Sequence, residues 1–483
     1  MKKVIKSIFT AVLAFGLTSC GSDYFDINQD PDVPSDSYPN LTLPPAMSAT
    51  AFVTGGNYQI LGGIWSQHWT QAPEARQYQS IEEYQITTQD FNREWRELYA
   101  AALQDYAWVA EKSEETGQLE YYLISKVMQA YTFQVLTDFY GDVPFSEALK
   151  GSSGTDWPKF DKSTDIYDGL IPLIDDAVAK YKDGVSKGGK PSKDDIVFGG
   201  NMDNWLRFAN TLKLKIYMRQ IHARPDVAKA GISKLFADGA QFLASDAEIT
   251  HFIDQAKKRN PVYEREISAA GHGNVNLVAS ATVVNELLAN SDPRIDFFFT
   301  KSKNEGVHIG LEQGDFERKG LKRDGFSRVN LKPTSPVVFI SAAESAFLQA
   351  EAAIRFPDVV SGVTAKGAYE AGVKASFADC GFAASADGFL AADGAYAYPE
   401  SGTDEEKIEA VVTQKWLAAT NSRGAESHFD FLRTGYPKAF TVSKISVIGD
   451  QFPQRLPYPD NEIQANPNTP PVKLVTDKIW WAK

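Results

Sequence analysis

The sequence predicts a mostly α protein built from helical hairpins, with long inserted loops between them. Three observations carry that expectation. Apolar residues recur at helical spacing in a series of long segments, the first two of these are separated by a short polar connection, and several stretches between later ones have little helical pattern. No segment after the amino terminus offers 18 uninterrupted apolar residues, so the body of the chain is expected to be soluble.

The first helical run, Glu94 to Lys112, places Trp95, Leu98, Tyr99, Ala102, Tyr106 and Val109 near one face. Tyr121 to Phe139 repeats the pattern, and the link from Glu114 to Leu119 suits an αα-hairpin. Thr164 to Lys182, Asn204 to His222 and Pro225 to Ala237 follow, then Ser341 to Arg355, Thr364 to Phe377 and Glu405 to Ala419. Gln414 to Pro437 reads as helix, break, helix: Asn421, Ser422 and Gly424 interrupt it, and Gly435 and Pro437 stop it. Trp95-x-x-Leu98 is a faint start of a helical repeat, but no clean repeat of about 34 residues is visible, so the periodicity permits stacked hairpins without specifying them. Stacking would let the chain form one domain although single compact cores stop growing near about 250–300 residues.

At the amino terminus, Lys2, Lys3 and Lys6 precede a mostly apolar run from Val4 to Leu17 that is too short for a mature membrane span. Leu17-Thr18-Ser19-Cys20 then resembles a lipoprotein processing site, at which Cys20 would be acylated and become the new amino terminus. Each buried CH₂ contributes about 0.8 kcal/mol, so several acyl chains would hold the protein at a membrane without a spanning helix. Residues 1–19 are the expected signal peptide and 20–40 an acidic, turn-rich tether, with residues 41–483 as one domain. Acidic residues soon after the cysteine also resemble surface-export signals of Bacteroidetes-type lipoproteins, here interrupted by Tyr24 and Phe25.

Formal charge is −13, and removing residues 1–19, which hold three lysines and no acids, makes it −16. Nucleic acid is therefore an unfavourable partner. The only cysteines are Cys20 and Cys380, so a lipidated Cys20 leaves no disulfide, and Cys380 reads as a structural thiol.

Five short motifs fall in a characteristic order: Asp138-Phe-Tyr-Gly-Asp-Val-Pro-Phe145, Asn290-Ser-Asp-Pro-Arg-Ile295, Ala350-Glu-Ala-Ala-Ile-Arg355, the block Gln414 to Pro437, and Arg455-Leu-Pro-Tyr-Pro459. Together they resemble the SusD/RagB family of outer-membrane nutrient-binding lipoproteins. His428 stands where a tryptophan is common in that family, and Leu432 where a second arginine often precedes Arg433. The resemblance implies a scaffold of degenerate TPR-like helical hairpins, a lipid anchor at the outer membrane, capture of oligo- or polysaccharide, and delivery to a SusC-like TonB-dependent transporter over which the protein sits as a lid. It implies no cofactor and no metal. Trp480-Trp481 would belong either to the transporter contact or to the core.

The ligand surface is expected on the weakly helical stretches Thr54 to Asp90, Phe252 to Ser280 and Thr300 to Pro336, because long irregular segments in compact domains are commonly functional. The first combines Trp65, Trp69, Arg76, Tyr78 and Tyr84 with several amides. Flat aromatic rings stack on the C–H face of a sugar while amides and guanidinium groups serve its hydroxyls. Trp65 and Trp69 are four residues apart, a spacing that equally suits a core pair on one helical face. Tyr78 and Tyr84 sit among Gln and Glu and are better placed for exposure. The second stretch offers Tyr263, His272 between two glycines, and Asn274; a loop histidine is most often simply solvated.

Catalytic signatures are weak. There is no HExxH, GxSxG or Walker loop, and the six histidines show no metal-ligand spacing. A carboxylate pair that meets only in space would make a surface glycoside hydrolase the competing class. Peptide capture is the alternative within the family reading, since tyrosines, amides and arginine also serve an extended backbone.

Overall fold

In a computed structural model of the chain, residues 37–483 are described. The expected signal peptide, the lipidation site Cys20 and the tether through Asp36 lie outside the described residues. The main helices are α1 (Pro39–Thr54), α2 (Asn57–Trp65), α3 (Gln104–Thr116), α4 (Leu119–Tyr140), α5 (Ser163–Asp183), α6 (Met202–Arg219), α7 (Pro225–Ala237), α8 (Ala281–Ala289), α9 (Ala342–Arg355), α10 (Ala365–Asp379), α11 (Asp404–Ala418) and α12 (Gly424–Thr434). Each helix expected from periodicity is present. Among the described residues no helix is long and apolar enough to cross a membrane.

Side-chain caps fix several starts: Ser341 accepts from the Glu344 N–H, Thr364 from that of Gly367, and Thr403 and Glu406 form a capping box. The run that begins at Asn92 continues through a π-helical turn, Glu97–Leu103, into α3. Consecutive helices pack as pairs, α3 on α4, α4 on α5, α6 on α7 and α9 on α10, which is the TPR-like stacking the resemblance implies. α4 lies at the centre of the packing: its residues from Glu120 to Tyr140 are buried almost throughout, Glu120, Gln129, Gln134 and Asp138 among them, so it has no solvent-facing polar stripe. Among the described residues the sheets are three antiparallel pairs of short strands: β1 (Trp69–Gln71) with β5 (Leu277–Ala279), β2 (Val143–Pro144) with β3 (Phe160–Asp161), and β4 (Ala247–Ile249) with β6 (Val337–Ile340).

Three of the helices, α1, α2 and α8, escaped the pattern. α1 contains Pro44 and Pro45, and α2 contains Gly62 and Gly63 inside a stretch expected to be loop. The glycines have a packing reason. A Cβ on Gly62 would lie 2.1 Å from the Ala425 nitrogen and one on Gly424 would lie 2.4 Å from the Gly63 nitrogen, so α2 and α12 cross backbone to backbone.

The motifs that carry the family resemblance meet in a buried charge network. Arg433 is bidentate to Glu351 at 2.6 and 2.7 Å and lies 3.0 Å from Asp430. Lys415 is 2.8 Å from Asp430, Arg423 is 2.6 Å from Glu344, and Lys215 lies 2.6 Å from Glu426 and 3.3 Å from Glu344. Arg219 joins Asp138 at 3.1 Å to Glu426 at 2.6 Å. Burial pushes the carboxyls of Glu344 and Glu351 up, but the surrounding cations prevail and hold both down at about 2. Elsewhere, Arg294 of the mid-chain motif pairs with Asp292 at 2.6 Å, and Arg455 donates to the Tyr140 carbonyl. His428 is buried against Trp65, its ring pushed down to about 4 by burial, and Nε2 lies 2.8 Å from the Pro453 carbonyl. Trp481 is fully buried with Arg219 over its ring and belongs to the core, whereas Trp480 is half-buried at its edge, packed on Tyr167 and Arg224. Cys380 is buried too.

Candidate functional site

The three loop stretches are tied to one another. β1 pairs with β5 in the register Trp69↔Ala279, and the Gln71 amide donates to the Asn276 carbonyl at 3.1 Å while accepting from the Tyr78 N–H at 2.7 Å. Glu82, with no exposed surface, accepts from the Thr70 hydroxyl at 2.9 Å and from the N–H groups of Gln71 and Gly314 at 3.2 and 2.6 Å, which joins the first loop to the third. Burial pushes its carboxyl up to about 7 despite these donors. Nine non-glycine residues among those described have positive φ, and Gln67, Glu74, Tyr84, Lys257 and Asn274 belong to the first two loops, with Phe91 directly after the first. A backbone held so often in a costly region is a constructed surface.

Construction on this scale buries much of what composition nominated for the ligand. Trp65 and Trp69 are 2% and 0% exposed, and they do not share a helix: Trp65 ends α2 and Trp69 starts β1. The Trp69 indole donates to Asn421 at 2.7 Å, and that of Trp65 to the Ile81 carbonyl at 3.3 Å. Tyr78 and Tyr84 are 4% and 2% exposed; the Tyr78 hydroxyl donates to Glu266, and that of Tyr84 accepts from the Ser443 N–H. These four hold the loop onto the scaffold: Trp65 and Trp69 are core residues, though not on one helical face, and the expected exposure of Tyr78 and Tyr84 is corrected.

The remaining candidates stay at the surface. Arg76 lies exposed over the Phe316 ring and 3.4 Å from Glu317. Tyr263 is half-buried. His272 is half-buried with Nδ1 2.6 Å from Glu266, whose carboxylate also accepts from the Asn276 amide at 3.1 Å, so Tyr78, His272 and Asn276 converge on one buried acid. Asn274 is a left-handed turn residue whose carbonyl accepts from Arg328.

Beside this cluster lies a cleft of about 150 Å³ lined by Asn57, Gln77, Tyr78, Ser80, Phe91 and Arg265, among others. It shares Asn57 and Arg265 with a larger groove of about 930 Å³ that runs along α1 and the loop from Ile249 to Arg265. The exposed Arg265 donates to the Asn57 side chain at 2.5 Å across the junction. Phe52 is 39% and Ile253 48% exposed in the larger groove, and the guanidinium of Arg93 sits 4.6 Å above the Phe52 ring. The junction therefore offers apolar faces, amides and a guanidinium within one depression, in the size range of small-ligand sites. Asn57, Phe52 and Arg265, which line this depression, were not among the residues that composition nominated. A depression of similar size between α5, α6 and α7, about 750 Å³, has charges that satisfy one another, as in Lys213–Asp175 at 2.8 Å and Lys234–Asp238 at 2.6 Å.

Stacked helical hairpins that carry a groove on inserted loops define a class of α-helical binding proteins. A family model described as "Starch-binding associating with outer membrane" matches residues 35–459, and the chain belongs to this SusD-like family of outer-membrane-associated binding proteins. Among solved structures, the chain is similar to a SusD homolog from Bacteroides uniformis, at 24% identity and TM-score 0.78, with 93% of this chain and 100% of that one covered. It is also similar to a chitin-binding protein (25%, 0.76, coverage 92% and 99%) and to a chitin-binding SusD homolog from Flavobacterium johnsoniae (23%, 0.76, coverage 91% and 98%). Comparison with curated proteins finds no match.

Proposed function

We propose that the protein is a cell-surface lipoprotein, anchored through Cys20, that captures a glycan at the junction marked by Asn57 and Arg265, beside Phe52, and passes it to a SusC-like TonB-dependent transporter. The family match across residues 35–459 carries this reading. The chitin-binding relatives support a sugar as the ligand, and the groove's chemistry suits one: exposed Phe52 for a sugar C–H face, amide and guanidinium for its hydroxyls. Binding would be modest and reversible, since a captured nutrient must be released into the channel. No bond is made or broken.

Detergent extraction of native outer membranes, purification through this protein and mass spectrometry of what accompanies it test the reading. A stoichiometric TonB-dependent barrel is the expected result. An intact lipoprotein with no barrel would refute the delivery role, and turnover of an oligosaccharide by the purified protein would replace binding with hydrolysis.

A further inference from the structure

The chain has 62 acidic against 49 basic side chains, yet the larger groove reverses that balance. Its walls carry Arg93, Lys257, Lys258, Arg259 and Arg265 against two carboxylates. Those carboxylates are already engaged: Glu97 lies 3.6 Å from Arg93, and Glu264 lies 3.2 Å from Arg259, which also holds Asp254 at 2.6 Å. Among the described residues, Lys257, Lys258 and Arg265 have no carboxylate within ion-pair distance, and all three line this one groove.

These cations are presented on a built loop. Lys257 is in the left-handed region at φ 65, and its N–H donates to Glu264 at 3.1 Å. The turn is closed by Ile253 N–H to the Lys258 carbonyl at 3.0 Å and Lys258 N–H to the Gln255 carbonyl at 2.9 Å. Holding like charges together over a concave surface is unfavourable in the free protein and focuses a positive potential into the groove. A neutral sugar chain gives no return for that cost. An anionic one does, and Phe52 and Ile253 keep apolar faces exposed between the charges for its rings.

Resting on the reading of the protein as a glycan binder, we propose that this groove selects an acidic glycan, a chain bearing carboxylate or sulfate groups that meet Lys257, Lys258 and Arg265 while its sugar faces lie on Phe52 and Ile253. The sequence shows the signal as Lys257-Lys258-Arg259 inside the second loop. Calorimetric titration of the full-length protein in a neutral detergent, at low and high salt, tests it with matched probes: oligogalacturonides as the free acid and as the methyl ester, a sulfated glycan, chitin oligosaccharides, polyglutamate and anionic lipid vesicles. The expected result is at least tenfold tighter binding of the free acid or the sulfated glycan than of the neutral chains, weakening with salt. The doubly substituted Lys257→Asn, Lys258→Gln protein should lose most of that preference; asparagine tolerates the left-handed backbone at 257. The relative strength of the carboxylate and sulfate probes identifies which acid is preferred. Neutral glycans binding as well as acidic ones would overturn the charge selection and leave glycan capture standing. Absence of binding to any glycan would remove both. Polyglutamate or vesicles binding as tightly as the acidic glycans would show an acidic-peptide or membrane surface instead.

Discussion

The core around α9, α11 and α12 and the loop face around Arg265 both concentrate charge, and they treat it in opposite ways. In the core each of Lys215, Arg219, Lys415, Arg423 and Arg433 has a carboxylate within 4 Å, and all are nearly inaccessible. On the loop face Lys257, Lys258 and Arg265 stand without one. Charge that is paired and buried fixes a fold, because removing either partner strands the other in a medium that cannot solvate it. Charge that is exposed, unpaired and held by a rigid loop contributes little to the fold and is available to something else.

The comparison is broken most severely at Arg433. Arg433→Ala leaves Glu351 and Asp430 buried with reduced compensation, and denaturant unfolding should show a loss of about 3–5 kcal/mol. If the variant is as stable as the parent, the network is not what holds the helices together.

Acid attacks the same region without mutation. The folded values of Glu344 and Glu351, about 2, lie below their ordinary 4.5, so their stabilising contribution is complete above 4.5 and is lost as pH falls from there toward 2. Unfolding curves across that window should show stability falling with pH, and Glu351→Gln should make the fall shallower. Glu82 works in the other direction: its folded value is raised to about 7, so it makes stability decline as pH rises from about 4.5 through 7.

Smaller effects mark where the two regions join. Gly62→Ala puts a Cβ against the backbone of α12 and should cost about 1–3 kcal/mol, read as a lower melting temperature. Tyr78→Phe removes one of the donors to buried Glu266 and should cost about 1–2 kcal/mol, with faster hydrogen exchange confined to the loops at 66–91 and 260–276.

This division also explains what was legible in the sequence. Pro225–Ala237 was read to the residue, and the helix, break and helix of Gln414 to Pro437 reappear as α11, a turn and α12, because long amphipathic runs with caps leave little choice. α1 was hidden by Pro44 and Pro45, which local propensity rejects but packing against α3 and the preceding π turn tolerates. The family motifs were recognisable because each places a residue in a charge pair or buried contact that admits few substitutes. By the same token they carry no information about the ligand. In the loops, composition did not show which rings face out: Tyr78 is buried because its hydroxyl meets Glu266, 188 residues away in the chain. The basic run Lys257-Lys258-Arg259 acquires its meaning only once folding places it on the groove wall.

The most direct test puts stability and recognition on one substitution. Arg265 is exposed, touches Asn57 and lies where the two clefts meet. The full-length Arg265→Ala protein should be applied to an array of immobilised glycans, with its melting temperature recorded on the same preparation. The expected result is a melting temperature close to that of the parent and loss of at least tenfold in signal on the glycans the parent binds. Undiminished glycan binding, or a collapse in melting temperature like that of Arg433→Ala, would contradict the separation of a load-carrying core from a ligand-facing loop surface.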